Sequence, residues 1–179
     1  MTMKIINRIL LLFLLPLFLG CSSNTSLQEY FVSKSDDGNF LLVNIPASTL
    51  GIAQDSLSET DLEVLSSFHK LNILAYKADP ANPEFMEHEL TTIRSIVSAS
   101  PYEELMTVND SRFSGKIIVV GEDVHLEEVV FFGQSPKAGF VLARVLGNQM
   151  TTKKVAKLAM LIQEENIDTE VFAGLQSFF

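Results

Sequence analysis

The chain has 179 residues with 22 acidic and 13 basic side chains. Its formal net charge of −9 argues against nucleic-acid binding, which needs a basic surface that displaces counterions from the phosphates. Its single cysteine excludes an internal disulfide, so the stability of the fold must come from an apolar core.

The first twenty residues have the pattern of a secretory signal peptide. Lys4 and Arg8 precede an apolar run from Ile9 to Leu19, and no acidic residue interrupts this stretch. The eleven residues of the run are too few to cross a bilayer as a helix, which takes about 20. We therefore expect export of the chain, with residues 1–20 removed.

The next two positions, Gly20 and Cys21, resemble the end of a bacterial lipoprotein signal, in which the cysteine receives lipid and becomes the mature N-terminus. Phe18 and Leu19 depart from the usual pattern of Leu three residues before the cysteine and a small residue two before it. An ordinary signal peptide is the alternative, but its cleavage requires a small residue where Phe18 lies. We expect cleavage between Gly20 and Cys21 and lipidation of Cys21.

The N-terminal half of the mature chain is predicted to alternate between helices and strands. Ser26 and Glu29 have the spacing of a capping box at the start of a first helix. Ser58 is expected to begin a second helix whose last turn contains His69 and Lys70. The predicted elements are a helix from residue 27 that ends before residue 36, a strand over 40–45, a helix over 59–70, a strand over 71–78 and a helix over 84–98. The spacing of apolar residues predicts a buried side for the last two helices, made of Leu62, Leu65 and Phe68 in the helix over 59–70 and of Met86, Leu90, Ile93 and Val97 in the helix over 84–98.

From Tyr102 onward, the spacing of apolar residues changes from helical to extended. Turn sequences of three or four residues, at 109–111, 121–123 and 134–137, separate the extended runs. Connections this short join antiparallel strands rather than parallel ones, so the spacing predicts a meander. Its four strands are expected at 104–108, 116–120, 126–132 and 139–146. Thr151 or Thr152 is expected to cap a final helix with Val155, Leu158, Ala159 and Ile162 on its buried side. The apolar tail that follows is expected to pack back on the domain.

These elements predict one α+β domain over residues 27–179. A mostly antiparallel sheet, made of the four-strand meander and one or two N-terminal strands, packs against about four helices. Val129–Phe132 and Phe140–Ala143 are apolar on both faces, so both faces of these strands need cover. Helices provide one cover, and either the tail or a protein partner in the envelope provides the other. Cover within the chain is favoured because monomers seldom expose such a surface.

No motif in the chain predicts an active site. His69, His88 and His125 do not have the spacing of metal ligands, so neither a metal nor another cofactor is expected. The densest group of acids lies between Glu122 and Glu128, and a solvated hairpin end is the preferred interpretation of it. Acid–base catalysis by these carboxylates is the alternative.

Arg144 is a charged residue on a strand face that it shares with Phe140. If the last hairpin turns about Pro136, Phe132 lies opposite Phe140 and Glu128 lies opposite Arg144. This register predicts a cross-strand ion pair between Glu128 and Arg144 with a structural role. An anion-binding arginine in a cleft is the alternative.

Four segments of the chain resemble the uncharacterised family of small bacterial lipoproteins known as domain of unknown function 4252. They are Phe40–Pro46, Leu71–Tyr76, Tyr102–Met106 and Phe140–Gly147, the last of which is followed by a predicted helix. The resemblance covers most of the mature chain and includes no catalytic motif. It therefore implies an exported α+β module without an assigned reaction, and no active-site residues transfer from it.

We expect a lipid-anchored envelope protein with a non-enzymatic binding, accessory or signalling role. A small periplasmic hydrolase or isomerase that uses the Glu122–Glu128 region is the alternative. Residues 21–26 would form a polar tether between the lipid and the domain. Ser22 after the cysteine, in place of Asp, favours the periplasmic face of the outer membrane, with the inner membrane as the alternative.

Overall fold

The computed structural model describes residues 25–49, 57–110, 113–122 and 124–164, without the side chains of residue 159 and residues 162–164. The predicted signal peptide, Cys21, Asp123 and the predicted C-terminal tail lie outside these ranges.

The described residues form four α-helices, and the residue before each helix accepts a hydrogen bond from one of its free N–H groups. They are α1 (Leu27–Ser33), α2 (Glu59–Ser66), α3 (Pro83–Val97) and α4 (Thr152–Glu164). Ser26 and Glu29 form the predicted capping box: the Glu29 N–H donates to the Ser26 hydroxyl over 3.2 Å, and the Ser26 N–H donates to the Glu29 carboxylate over 2.7 Å. The Thr151 hydroxyl accepts from the Lys154 N–H and caps α4.

Six strands form a single sheet in which every neighbouring pair is antiparallel. The strands are β1 (Phe40–Pro46), β2 (Phe68–Lys77), β3 (Glu103–Asn109), β4 (Ser114–Glu122), β5 (His125–Ser135) and β6 (Gly139–Met150). Their order across the sheet is β1-β2-β6-β5-β4-β3, so the last four strands form a meander and the first two extend it beside β6. The predicted α+β fold is confirmed.

The boundary between α2 and β2 differs from the predicted one. The helix ends at Ser66, and His69 and Lys70 lie in β2 instead of the last helical turn. Lys70 pairs with Pro46 of β1 and with Leu146 of β6. Hydrogen bonding along two neighbouring strands replaces the extra helical turn, so the prediction that the helix continues to residue 70 was wrong.

The register of the β5–β6 hairpin is shifted by two residues from the predicted one. Ser135 pairs with Gly139 across a loop of three residues, and Gly139 has a φ of +117°, a conformation that glycine adopts without strain. Phe132 therefore lies opposite Leu142 instead of Phe140. Because the turn is centred on Lys137 instead of Pro136, every pair of the hairpin is displaced.

Helices cover both faces of the sheet. On the first, the α1/α3 face, the predicted stripe of α3 is buried. This stripe consists of Met86, Leu90, Ile93 and Val97. On the second, the α2/α4 face, Val64 and Leu158 pack on the sheet, whereas Leu62, predicted to be buried, is 40% exposed. Helices of the same chain thus pack on both faces of the sheet, while Phe131 and Val141 on the α2/α4 face stay partly exposed.

Candidate functional site

A buried ion pair joins β5 to β6. The Arg144 Nε donates to Glu128 Oε1 over 2.7 Å, and its Nη2 donates to Oε2 over 2.8 Å. The two side chains are only 9% and 8% exposed. The third guanidinium nitrogen, Nη1, donates to the Gln28 side chain on α1. The pair predicted from the sequence is therefore in contact, although the two residues are diagonal neighbours rather than directly opposite.

The continuous register of β5 with β6 from Glu128 to Ser135 places Glu128 beside Arg144, and a bulge just before it turns Leu126 to the other face. The register shifts between Leu126 and Glu128, so these residues lie on opposite faces although they are two positions apart. Leu126 packs in the core of the α2/α4 face, while Glu128 lies beneath α1. A regular strand would have placed both side chains on one face.

In this geometry the charge of Arg144 is already paired with Glu128. The two parallel bonds to one carboxylate neutralise the guanidinium, and its remaining nitrogen is bound to Gln28. Burial raises the pKa of the neighbouring Tyr102, and the charge of Glu128 raises it further while Arg144 opposes that effect. An open depression of about 520 Å³ lies beside the pair, with His69 and Glu127 on its walls. The arrangement favours a structural role for the pair over the binding of a free anion.

A second buried acid, Glu89, links α3 to α1. Its Oε2 accepts from the Tyr30 hydroxyl and its Oε1 from the Lys34 ammonium, both over 2.7 Å. The same ammonium lies 5.0 Å from the centre of the Phe40 ring, which is a cation–π distance. Burial, followed by the hydrogen bond and charge of Glu89, raises the pKa of Tyr30. Sequence reasoning missed this site, although Glu89 is an acid within the apolar stripe of α3.

A cleft of about 650 Å³ opens between α3 and the β5–β6 turn. Its apolar lining includes Met86, Leu90 and Phe113. On its polar side, the Arg94 Nη2 donates to the Gln134 side-chain oxygen over 3.0 Å, and the Gln134 amide donates to the Ser114 hydroxyl over 2.8 Å. Apolar surface with a few oriented polar groups is typical of ligand sites, and the volume lies within their usual range. We call it the α3 cleft.

Sequence reasoning could not find the α3 cleft. Its walls come from α3, the segment before it, the start of β4 and the turn around Lys137. These segments belong to three separate parts of the chain, residues 78–94, 110–114 and 134–137, and none of the three contains a recognisable motif.

The other predicted site residues do not come together in one place. Gly20 and Cys21 lie outside the described residues. Glu122 and Glu127 are exposed, whereas Glu128 is buried against Arg144. Within the described ranges, no three His, Cys, Asp or Glu side chains form a group that could hold a metal ion. No helix in this part of the chain is both long and apolar enough to cross a membrane.

Comparison with known proteins identifies one family. The family model described as domain of unknown function (DUF4252) matches residues 30–158, well over half of the chain. The match contains the sheet, the α3 cleft and both buried acids. Neither a curated protein nor a solved structure matches the chain.

Proposed function

Because the chain belongs to the DUF4252 family, whose description assigns no activity, we propose from its own residues that it is a lipid-anchored protein of the cell envelope that binds a ligand. Catalysis would not be part of its role. The α3 cleft is the observation that carries the binding function.

The anchor rests on the N-terminal sequence. A basic start, a short apolar run and Gly20 precede the only cysteine of the chain, Cys21. Two or more acyl chains at this cysteine would hold the protein stably on a membrane, since a single chain binds only reversibly. With Ser22 as the next residue, we propose the periplasmic face of the outer membrane.

The α3 cleft has the features of a binding site. Met86 and Leu90 offer apolar surface, while the bonded row of Arg94, Gln134 and Ser114 holds donors and acceptors in fixed directions. The cleft also has charges of both signs, such as Lys137 and Asp79. It suits a ligand with an apolar body and polar groups at one side.

The buried acids support binding over catalysis. A catalytic carboxylate needs an oxygen that can reach the substrate proton. Both Glu128 oxygens accept from Arg144, and both Glu89 oxygens accept from Tyr30 and Lys34. An acid-based hydrolase or isomerase in the Glu122–Glu128 region remains the alternative proposal, with the exposed Glu122 and Glu127 as its open carboxylates.

Replacement of the cysteine tests the anchor. In Cys21→Ser, we expect the protein to move from the membrane fraction to the soluble envelope fraction. The intact mass of the native product should show loss of residues 1–20 and gain of acyl chains. If the variant stays on the membrane as firmly as the parent, the lipid is not the anchor.

A photo-reactive residue in the α3 cleft tests binding. Lys137 lies at the cleft and Lys153 lies on α4, and both are exposed lysines. Irradiation of cells should give a discrete cross-linked product from position 137 and none from position 153. Equal products at both positions, or none at position 137, would contradict a ligand in the cleft.

A further inference from the structure

An apolar groove of about 370 Å³ remains open on the α2/α4 face of the sheet. Met106, Val108 and Phe113 border it and are 49%, 48% and 47% exposed. Phe131 and Val141 contribute its floor. Soluble monomers seldom expose such large apolar side chains side by side, so we expect another segment or molecule to cover this surface.

The groove continues toward α4. A smaller apolar groove of about 240 Å³ lies between the sheet and the side of α4, and it shares Ile117 and Phe131 with the first. Val155 and Ala156 form the helical wall of this smaller groove. The two together make one apolar channel, which we call the β3–α4 channel, from the last helix to the edge of the sheet at β3.

The chain continues beyond this channel. After Glu164, the last described residue of α4, fifteen residues remain. Their apolar side chains have the spacing of one helical stripe and are Ile167, Val171, Phe172, Leu175, Phe178 and Phe179. Exposure of so many apolar side chains to water is unfavourable, so this stripe is expected to be covered.

The length of this segment is sufficient. Fifteen residues span up to about 50 Å when extended and about 22 Å as a helix. The channel crosses β3, β4, β5 and β6, which are three inter-strand spacings or about 15 Å. The segment starts at α4, whose side already forms one wall of the channel.

We infer that the C-terminal segment 165–179 lies in the β3–α4 channel of its own chain and covers Met106, Val108 and Phe113. The apolar stripe of the segment and the open apolar side chains of the sheet then cover each other. This inference does not depend on the lipid anchor or on the ligand of the α3 cleft.

A single tryptophan in the segment tests this inference, because the chain contains no other tryptophan. In the full-length chain, Phe172→Trp should emit at shorter wavelength and be quenched by acrylamide several-fold less than Ser177→Trp, which lies off the stripe. Val108→Glu or Met106→Glu in the channel should then expose the tryptophan of Phe172→Trp. Val32→Glu is the matched control, since Val32 is 61% exposed on α1. Far-UV circular dichroism checks that each variant is folded.

Three results would overturn the inference. In the first, the tryptophan of Phe172→Trp is quenched as strongly as that of Ser177→Trp, which would mean that the segment does not lie in the channel. Alternatively, its protection is unchanged by Val108→Glu, so that the segment packs elsewhere. In the third case, protection disappears on dilution together with a change from dimer to monomer, which assigns the segment to a second copy.

Discussion

Loss of one partner from the Glu128–Arg144 pair should strongly destabilise the fold. Arg144→Met removes both donors to a carboxylate that is only 8% exposed. A buried charge left without its partner costs about 3–5 kcal/mol. We expect a loss of at least about 3 kcal/mol, which for a domain of this size lowers Tm by about 6–12 °C. Thermal and urea unfolding followed by far-UV circular dichroism measure it, since the chain has no tryptophan.

Two further variants isolate the effect of the buried charge. Lys116→Met breaks the pair of Lys116 with Glu104, whose side chains are 42% and 48% exposed, and should change the melting temperature little, because water and salt screen an exposed pair. The double variant Glu128→Leu with Arg144→Met leaves no buried charge between β5 and β6 and should recover most of the lost stability. If Arg144→Met is no more harmful than Lys116→Met, or if the double variant stays as unstable as Arg144→Met, the cost does not come from a buried charge left without its partner.

Two other substitutions test single contacts. Because burial and Glu89 raise the pKa of Tyr30, the unfolded chain ionises this phenol above about pH 10 while the folded chain keeps it neutral. The free energy of unfolding, measured from urea midpoints, should therefore fall as the pH rises above about 10. In Tyr30→Phe this fall should be shallower, and an equal dependence on pH in both proteins would contradict the reasoning. Gly139→Ala should cost more than about 1 kcal/mol, because φ is +117° and the new Cβ would lie 1.9 Å from the Tyr76 carbonyl oxygen. Gly38→Ala, which meets nothing within 4 Å, is its control, and equal melting temperatures would refute the steric reasoning.

Local patterns predicted the order of the elements well. The S-x-x-E spacing at Ser26 and the stripe of Met86 and Leu90 on α3 depend on residues three or four positions apart, and such contacts form within one helix. The short turns after β3, β4 and β5 left only antiparallel neighbours, so the meander followed from loop length alone.

Contacts between distant residues explain the errors. The end of α2 is set by the pairing of Lys70 with two strands, one of which follows it by some seventy residues. The bulge before Glu128 leaves no mark in the pattern of apolar residues, yet it decides which face Leu126 occupies. Glu89 was visible as an acid inside an apolar stripe, but its partner Tyr30 lies on α1 and its partner Lys34 caps the end of α1, 59 and 55 residues earlier in the chain. Sequence spacing shows that such an acid is buried without showing what neutralises it.

The position of the family match separates the three proposals. Residues 30–158 include the α3 cleft and the two buried acids, whereas Cys21 and the segment 165–179 lie outside them. Binding in the cleft would therefore be a property of the matched module, while the anchor and the covering segment rest on residues on either side of it. A stable pair at Glu128 and Arg144 keeps β5 and β6 fixed, and the cleft uses the opposite end of β5 at Gln134. The same strand would thus be rigid where it is buried and would present its polar side chain where it is open.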